Sequence, residues 1–256
     1  LTLSACGGGG VNPIPPAPPP PVVAPPPAPP PPPPPPPTTG NFATAEFNRS
    51  DGPGFHNAVT AYQAGATGAG VIVGVVDSGI DPDSHEFTGR IHPQSGDVTG
   101  GGRTLGDSDG HGTEVSRVIA AAKDDRDVHG IAFNATILAL RADAPGSCTT
   151  PAAGEDEAGC SFFDSSIAAG INRAVDNGAR VINISLGGAG GANSTLRNAI
   201  NRATLAGIVI VASAGNEGND AVPKFDPSNP SPFAQALVAN GNGLVVIATS
   251  VDDQGV

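Results

Sequence analysis

Val71-Ile72-Val73-Gly74-Val75-Val76, followed at once by Asp77-Ser78-Gly79, decides the fold. The run is short, unbroken and rich in β-branched residues, the pattern of a strand buried on both faces. Residues 136–141, 180–184, 208–212 and 244–248 repeat it. Helical patterns lie between these runs. From Asp164, the side chains of Ile167, Ile171, Ala174 and Val175 share one face, with Asp164 or Ser165 as N-cap and Gly178 just past the end. From Ser194, Leu196, Ala199, Ile200 and Ala203 do the same, up to Gly207. A third helix is predicted from His111, with Val115, Val118, Ile119 and Ala122 on its apolar face. Strands alternating with helices imply an α/β fold, a mostly parallel sheet with helices on both faces.

The chain has 256 residues, room for one domain or somewhat more. Its net charge of −12 argues against nucleic-acid binding, which needs clustered Lys and Arg on phosphates. An acidic surface is read here as a solubility feature. The apolar runs are far too short to span a bilayer as helices. The chain contains no Met, so Leu1 is not expected to be the natural start, and the sequence is treated as a fragment.

Residues 1–40 carry no charged side chain. The stretch Pro13 to Pro37 holds 19 of the 28 prolines. Proline fixes φ and lacks an N–H, so a polyproline rod of roughly 80 Å is expected, at about 3.1 Å per residue. A spacer is preferred to a ligand for a proline-recognising domain, because no charge flanks the tract to orient a docked peptide. Leu3-Ser4-Ala5-Cys6 resembles a bacterial lipobox, which would make Cys6 the lipid attachment point. The expected organisation is therefore a signal-peptide remnant over 1–6, a disordered Gly/Pro-rich linker over 7–40, and a folded domain over 41–256. The expected location is the bacterial cell envelope, exported and anchored to a membrane or the cell surface by lipid.

In open α/β sheets, functional groups collect beyond the carboxyl ends of the strands. Asp77-Ser78-Gly79, Ser185-Leu186-Gly187-Gly188 and Ser213-Ala214-Gly215-Asn216-Glu217-Gly218 each follow a predicted strand and should share one edge. Glycine in each lets backbone approach a ligand closely. His111 sits in Gly110-His111-Gly112-Thr113 at a predicted helix start, and Asp77 is a sensible partner for it.

In this order, the motifs resemble the subtilisin-like (subtilase) serine proteases. Val-Val-Asp-Ser-Gly-Ile-Asp at 75–81 is similar to the family's Asp motif and Gly-His-Gly-Thr at 110–113 to its His motif. Asn-Ile-Ser-Leu-Gly at 183–187 is similar to its substrate-binding strand and Ser-Ala-Gly-Asn-Glu-Gly at 213–218 to its oxyanion-hole loop. The resemblance implies a serine endopeptidase acting on protein or peptide substrates without a catalytic cofactor. Asp77 would orient His111, His111 would act as general base and then acid, and Asn216 would donate to the oxyanion. Ser185, Leu186, Gly187 and Gly215 would bind substrate backbone. Glu217 would lie near the side chain preceding the scissile bond and favour a basic one.

The sequence departs from the family pattern in three ways. No Gly-Thr-Ser occurs, so the nucleophilic Ser is expected beyond residue 256 and this chain is expected to be inactive alone. Arg117 replaces a small residue after the His motif, which puts helix packing there in question. Calcium loops cannot be read. Glu86 and Asp81 are possible oxygen ligands, no metal site is assigned, and 123–128 is read as solvated surface.

Gly106-Asp107-Ser108-Asp109-Gly110 matches a hydrolase pattern, but no strand precedes it and two carboxylates flank the Ser. His56, His85, His92 and His129 show no metal-ligand spacing and are assigned to surface or packing. Cys148 and Cys160 form an even pair once Cys6 is set aside, and a disulfide is expected. Two alternatives stand beside the peptidase: a catalytically dead relative serving as a surface binding module, and the passenger domain of an autotransporter protease.

Overall fold

The apolar runs become neighbouring strands of one sheet. The computed structural model describes residues 40–148, 159–188, 190–215 and 229–249. The strands are β1 (Ile72–Asp77), β2 (Gly96–Asp97), β3 (Thr136–Arg141), β4 (Val181–Ile184), β5 (Val209–Ser213) and β6 (Val245–Ala248). Their order is β2-β3-β1-β4-β5-β6, and every pairing is parallel. The helices are α1 (Asp51–Phe55), α2 (Ala58–Gln63), α3 (His111–Ala120), α4 (Asp164–Asp176), α5 (Ser194–Leu205) and α6 (Pro232–Ala239). This is the expected α/β class.

The twofold alternation along each strand divides the core. On one face Leu138, Leu140, Ile182 and Ile210 pack with Ile167, Ile171, Leu196, Ile200 and Leu237 from α4, α5 and α6. On the other, Val73, Val75, Ile137 and Ala139 pack with Ile80, Phe87 and Ala120 at the end of α3. Gly74 interrupts the β1 run because α4 lies against it. A Cβ there would come within 3.0 Å of the Ala174 Cβ, and one at Gly170 within 3.1 Å of Val76. A third, aromatic cluster joins Phe42, Phe47 and Tyr62 to Phe133, with the Tyr62 and Phe133 rings 5.0 Å apart.

Three local expectations are corrected. The N-cap of α4 is Phe163, with no side-chain cap bond, rather than Asp164 or Ser165. The Asp164 carboxylate instead accepts from the Asn193 amide at 2.7 Å, and Asn193 in turn caps α5 through Leu196 N. Secondly, α3 stops at Ala120, so Ala122 lies outside it, and Val118 is 70% exposed. Its buried residues are Gly112, Thr113, Ser116 and Ala120, and Val115 and Ile119 pack partly buried against the core as expected. Thirdly, Arg117 does not disturb this packing. It stands partly exposed and pairs with Glu114 at 2.6 Å, while neighbouring Ser116 is fully buried.

Candidate active site

Asp77 ends β1 and is 1% exposed. Its Oδ1 accepts from the Ser78 amide at 2.7 Å and lies 2.8 Å from Nδ1 of His111, the first residue of α3. A carboxylate offers only acceptors, so Nδ1–H donates and Nε2 is left as the basic ring nitrogen. The hydrogen bond to Asp77 raises the His111 pKa above its ordinary value, against partial burial, which lowers it. The charges of Asp77, Asp109 and Asp107 add to the rise.

Asp107 locks this pair together. Its Oδ1 accepts from Ser78 Oγ and the Gly110 amide, both at 2.9 Å. Its Oδ2 accepts from the Thr113 amide at 2.8 Å and the Thr113 hydroxyl at 2.6 Å. Ser78 Oγ in turn accepts from the Gly112 amide at 3.0 Å. One carboxylate thus ties the end of β1 to the start of α3, where exposed backbone N–H groups favour an anion. Burial pushes the Asp107 carboxyl up, but the hydrogen bonds led by Thr113 outweigh it and hold the pKa below the ordinary value. From sequence, Asp107 is legible only as a flank of Ser108. The missed signal is a carboxylate shortly before a helix start. Ser108 itself is exposed and does not line the cleft.

Behind this loop lies a layer of charge. Arg141 pairs in register with Asp77 and is 9% exposed. Its guanidinium donates to the carbonyls of Thr104 and Gly106 and to Asp143 Oδ1. Arg103 joins Asp143 at 2.5 Å and Asp97 at 3.3 Å. Burial raises the Asp97 pKa, but the bonds from Thr99 and Arg103 prevail and depress it far below the usual range. These buried charges are paired and hydrogen-bonded, which burial demands.

A cleft of about 540 Å³ opens beside the Asp77–His111 pair. Ser185, Leu186, Gly187 and Gly188 line it beyond β4, with Gly190 and Gly191. Leu186 O accepts from Ser213 Oγ at 3.0 Å, which holds this segment to the end of β5. The far wall carries Gly159, Cys160, Ser161 and Phe162. Cys148 and Cys160 form the expected disulfide. Asp109, Asp164 and Phe162 also line the cleft, and the sequence motifs give none of them a place in the site. Gly215 stands two residues beyond β5 with φ 127° and is not among the lining residues. Asn216, Glu217 and Cys6 lie outside the described residues.

The two possible oxygen ligands, Glu86 and Asp81, each accept a backbone hydrogen bond. Glu86 is 3% exposed, and its Oε2 accepts from the Ala122 amide at 3.0 Å. Asp81 is exposed, and its Oδ1 accepts from the Asp83 amide at 3.0 Å. Among the described residues Glu86 groups instead with His85 and Asp127. One nitrogen and two carboxylates, one already engaged, do not fit a cation that takes six to eight oxygens. Residues Asp124 to Asp127 are exposed, as expected, and buried Glu46 accepts from the amides of Asp124 and Asp125 at 3.1 Å. His129 is buried against Phe47, Tyr62 and Phe133, a packing role.

Residues 68–254 match the Subtilase family. The chain is 34% identical to thermitase of Thermoactinomyces vulgaris over 174 residues, covering 67% of this chain and 55% of that one. It is 32% identical to subtilisin BL of Lederbergia lenta over 216 residues, covering 77% of this chain and 70% of the relative. A solved protease structure from Pseudoalteromonas arctica superposes with a TM-score of 0.55 at 28% identity, over 74% of this chain and 63% of that one. The chain thus spans about half of thermitase's length. A parallel sheet that presents an Asp–His pair at its strand ends, and a family match over most of its length, place this chain in the subtilase family of serine peptidases.

Proposed function

We propose that this chain supplies the acid–base half of a serine endopeptidase site, with the nucleophilic Ser contributed by sequence beyond residue 256. The observation that carries the reading is the 2.8 Å contact between Asp77 Oδ1 and His111 Nδ1 at the mouth of the cleft. Asp77 keeps Nδ1 protonated and stabilises the imidazolium. His111 Nε2 takes the proton from the attacking hydroxyl and returns it to the leaving amine. The Asn216 amide donates to the oxyanion that forms at the carbonyl. Ser185, Leu186, Gly187 and Gly215 receive the substrate as an added strand, and Glu217 favours a basic side chain before the scissile bond. The peptidase domain begins near Asn41. The linker before it leads to a lipidated Cys6 that holds an exported protein at the cell envelope.

Peptide hydrolysis tests this directly. The 256-residue chain should be inactive. A chain extended from its own coding sequence through a Gly-Thr-Ser should hydrolyse peptides and be labelled by a serine-directed phosphonate. Phosphonate-sensitive hydrolysis by the 256-residue chain would overturn the assignment of the nucleophile. An extended chain that carries no such Ser would favour the binding-module alternative.

A further inference from the structure

Cys160 lines the cleft, and both cysteines of the Cys148–Cys160 disulfide are partly exposed. One carboxylate oxygen of Asp109 lies within 4.8 Å of both sulfurs. That carboxylate accepts no hydrogen bond and joins no ion pair among the described residues. Cys148 Sγ also stands 3.5 Å from Asp143 Oδ2. The bridge is not the sole tie between its two segments. The Ala144 amide donates to the Ser161 carbonyl at 2.8 Å, and the Ser161 amide donates to Ser147 Oγ at 3.0 Å. Asp143 and Phe162 face each other in an antiparallel bridge. The two sulfurs therefore stay neighbours when the bond between them opens.

We propose that Cys148, Cys160 and Asp109 form a redox-controlled site for Zn2+, absent while the disulfide stands and present once it is reduced. Two thiolates and a carboxylate are a ligand set that suits Zn2+, with the fourth position left to water. Metal bonds of about 2.0–2.3 Å place such ligands within about 4 Å of one another, a distance that side-chain rotation supplies here. The electrons balance. A dithiol reductant attacks one sulfur, forms a mixed disulfide and then closes on itself, giving up two electrons. Cys148 and Cys160 are left as thiols, and binding of Zn2+ releases both thiol protons. Bare thiolates would face Asp109 and Asp143, so the reduced pair keeps its protons until a cation replaces them. Asp77, Asp109 and Asp164 line the cleft, and among the described residues no Lys or Arg does, so the local field draws a cation in. An ion held there occupies the wall of the cleft that also holds His111, and excludes peptide. That last consequence rests on the peptide-binding reading of the cleft, and the metal site itself does not.

The test is a titration with Co2+, an optical stand-in for Zn2+, of the 256-residue chain carrying Cys6→Ser. The chain is taken unreduced, and again after reduction by a resin-bound dithiol that is then removed. The readout is the cobalt–thiolate charge-transfer band, so ions held elsewhere by His or carboxylates do not count. The reduced chain should take up one Co2+ with the band of two thiolates, and Zn2+ should displace it mole for mole. The unreduced chain should show no band, and Cys148→Ser should lose the two-thiolate band. Asp109→Asn should weaken binding at least about tenfold, the least that losing even an outer partner of a metal costs. A reduced, folded chain without the band, a two-thiolate band that survives in Cys148→Ser, or affinity unmoved by Asp109→Asn would overturn the proposal. Loss of the folded amide NMR spectrum on reduction would overturn it too, because the site needs the wall to persist. Zn2+ loading should also abolish binding of a blocked tetra-alanine peptide. Equal peptide binding with and without Zn2+ would overturn the exclusion. A peptide that fails to bind even the metal-free chain would count against the cleft reading and leave the metal site standing.

Discussion

The two walls of the cleft are built on opposite principles. The His111 wall is crowded and dense with hydrogen bonds. A Cβ at Gly112 would run into the Gly79 carbonyl oxygen and come within 3.1 Å of the Asp77 Cβ. Asp107, Ser78 and Thr113 tie the end of β1 to the start of α3 through hydrogen bonds, while the second carboxylate oxygen of Asp77 stays buried without a partner among the described residues. The second wall, the glycine segment beyond β4 with Gly187, Gly188, Gly190 and Gly191, is open. A Cβ at Gly187, Gly188, Gly190 or Gly191 would meet nothing within 4 Å, and none of these has positive φ. The fold therefore requires glycine on the first wall and not on the second. On the first, glycine lets a helix press against a strand. On the second, bare backbone is left for something outside the chain to approach.

The contrast can be broken by substitution. Gly112→Ala should have the largest effect, destabilising the chain by about 3 kcal/mol in urea unfolding, because backbone on both sides must yield. Unchanged stability would mean that the two elements are not so closely packed. Asp107→Asn should come next, by about 2 kcal/mol near neutral pH, since amide and hydroxyl donors lose a charged acceptor. Its pH dependence has a defined sign. The folded-state pKa of Asp107 is depressed, so its contribution is complete above the unfolded carboxyl pKa of about 3.9. It fades as pH falls through the lower folded value. The stability gap between wild type and Asp107→Asn should therefore close in acid, and a gap that persists at the lowest workable pH would contradict the assignment. Gly187→Ala should have the smallest effect on stability, within about 0.5 kcal/mol. The same variant should weaken peptide binding, because the added methyl intrudes only on the cleft.

The same division explains what was legible in the sequence. An unbroken apolar run marks each of the five strands, four of which needed only a one-residue adjustment, although edge strand β6 leaves Val246 and Ala248 exposed among the described residues. The adjustment matters at Asp77, which belongs to β1 and takes its position from the sheet. Helices α4 and α5 could be read because each buries one regular apolar face. Helix α3 could be placed, and Val115 and Ile119 pack against the core as expected, but Val118 is exposed, Ala122 lies beyond the helix, and the buried positions are Gly112, Thr113, Ser116 and Ala120. The sequence Asp-Gly-Pro-Gly-Phe of α1 carries no helical signal, and β2 is two residues long. Nor did the pattern expose α6, which is short and mostly apolar. Within the site, Asp77 and His111 were found through motifs. Asp107 was not legible as an anchor because its role depends on what the fold brings near it.

The Asp77–His111 bond can be measured without any nucleophile present. NMR titration of the His111 ring in the 256-residue chain should give a midpoint above the ordinary histidine value of about 6.5. Because the folded pKa is raised, the stabilisation from this pair is complete below that ordinary value and disappears as pH rises through the folded midpoint. Asp77→Asn should bring the midpoint down to the ordinary value or below it. A His111 that titrates at the ordinary value in wild type, and does not respond to loss of the Asp77 charge, would contradict the pairing on which the proposed chemistry depends.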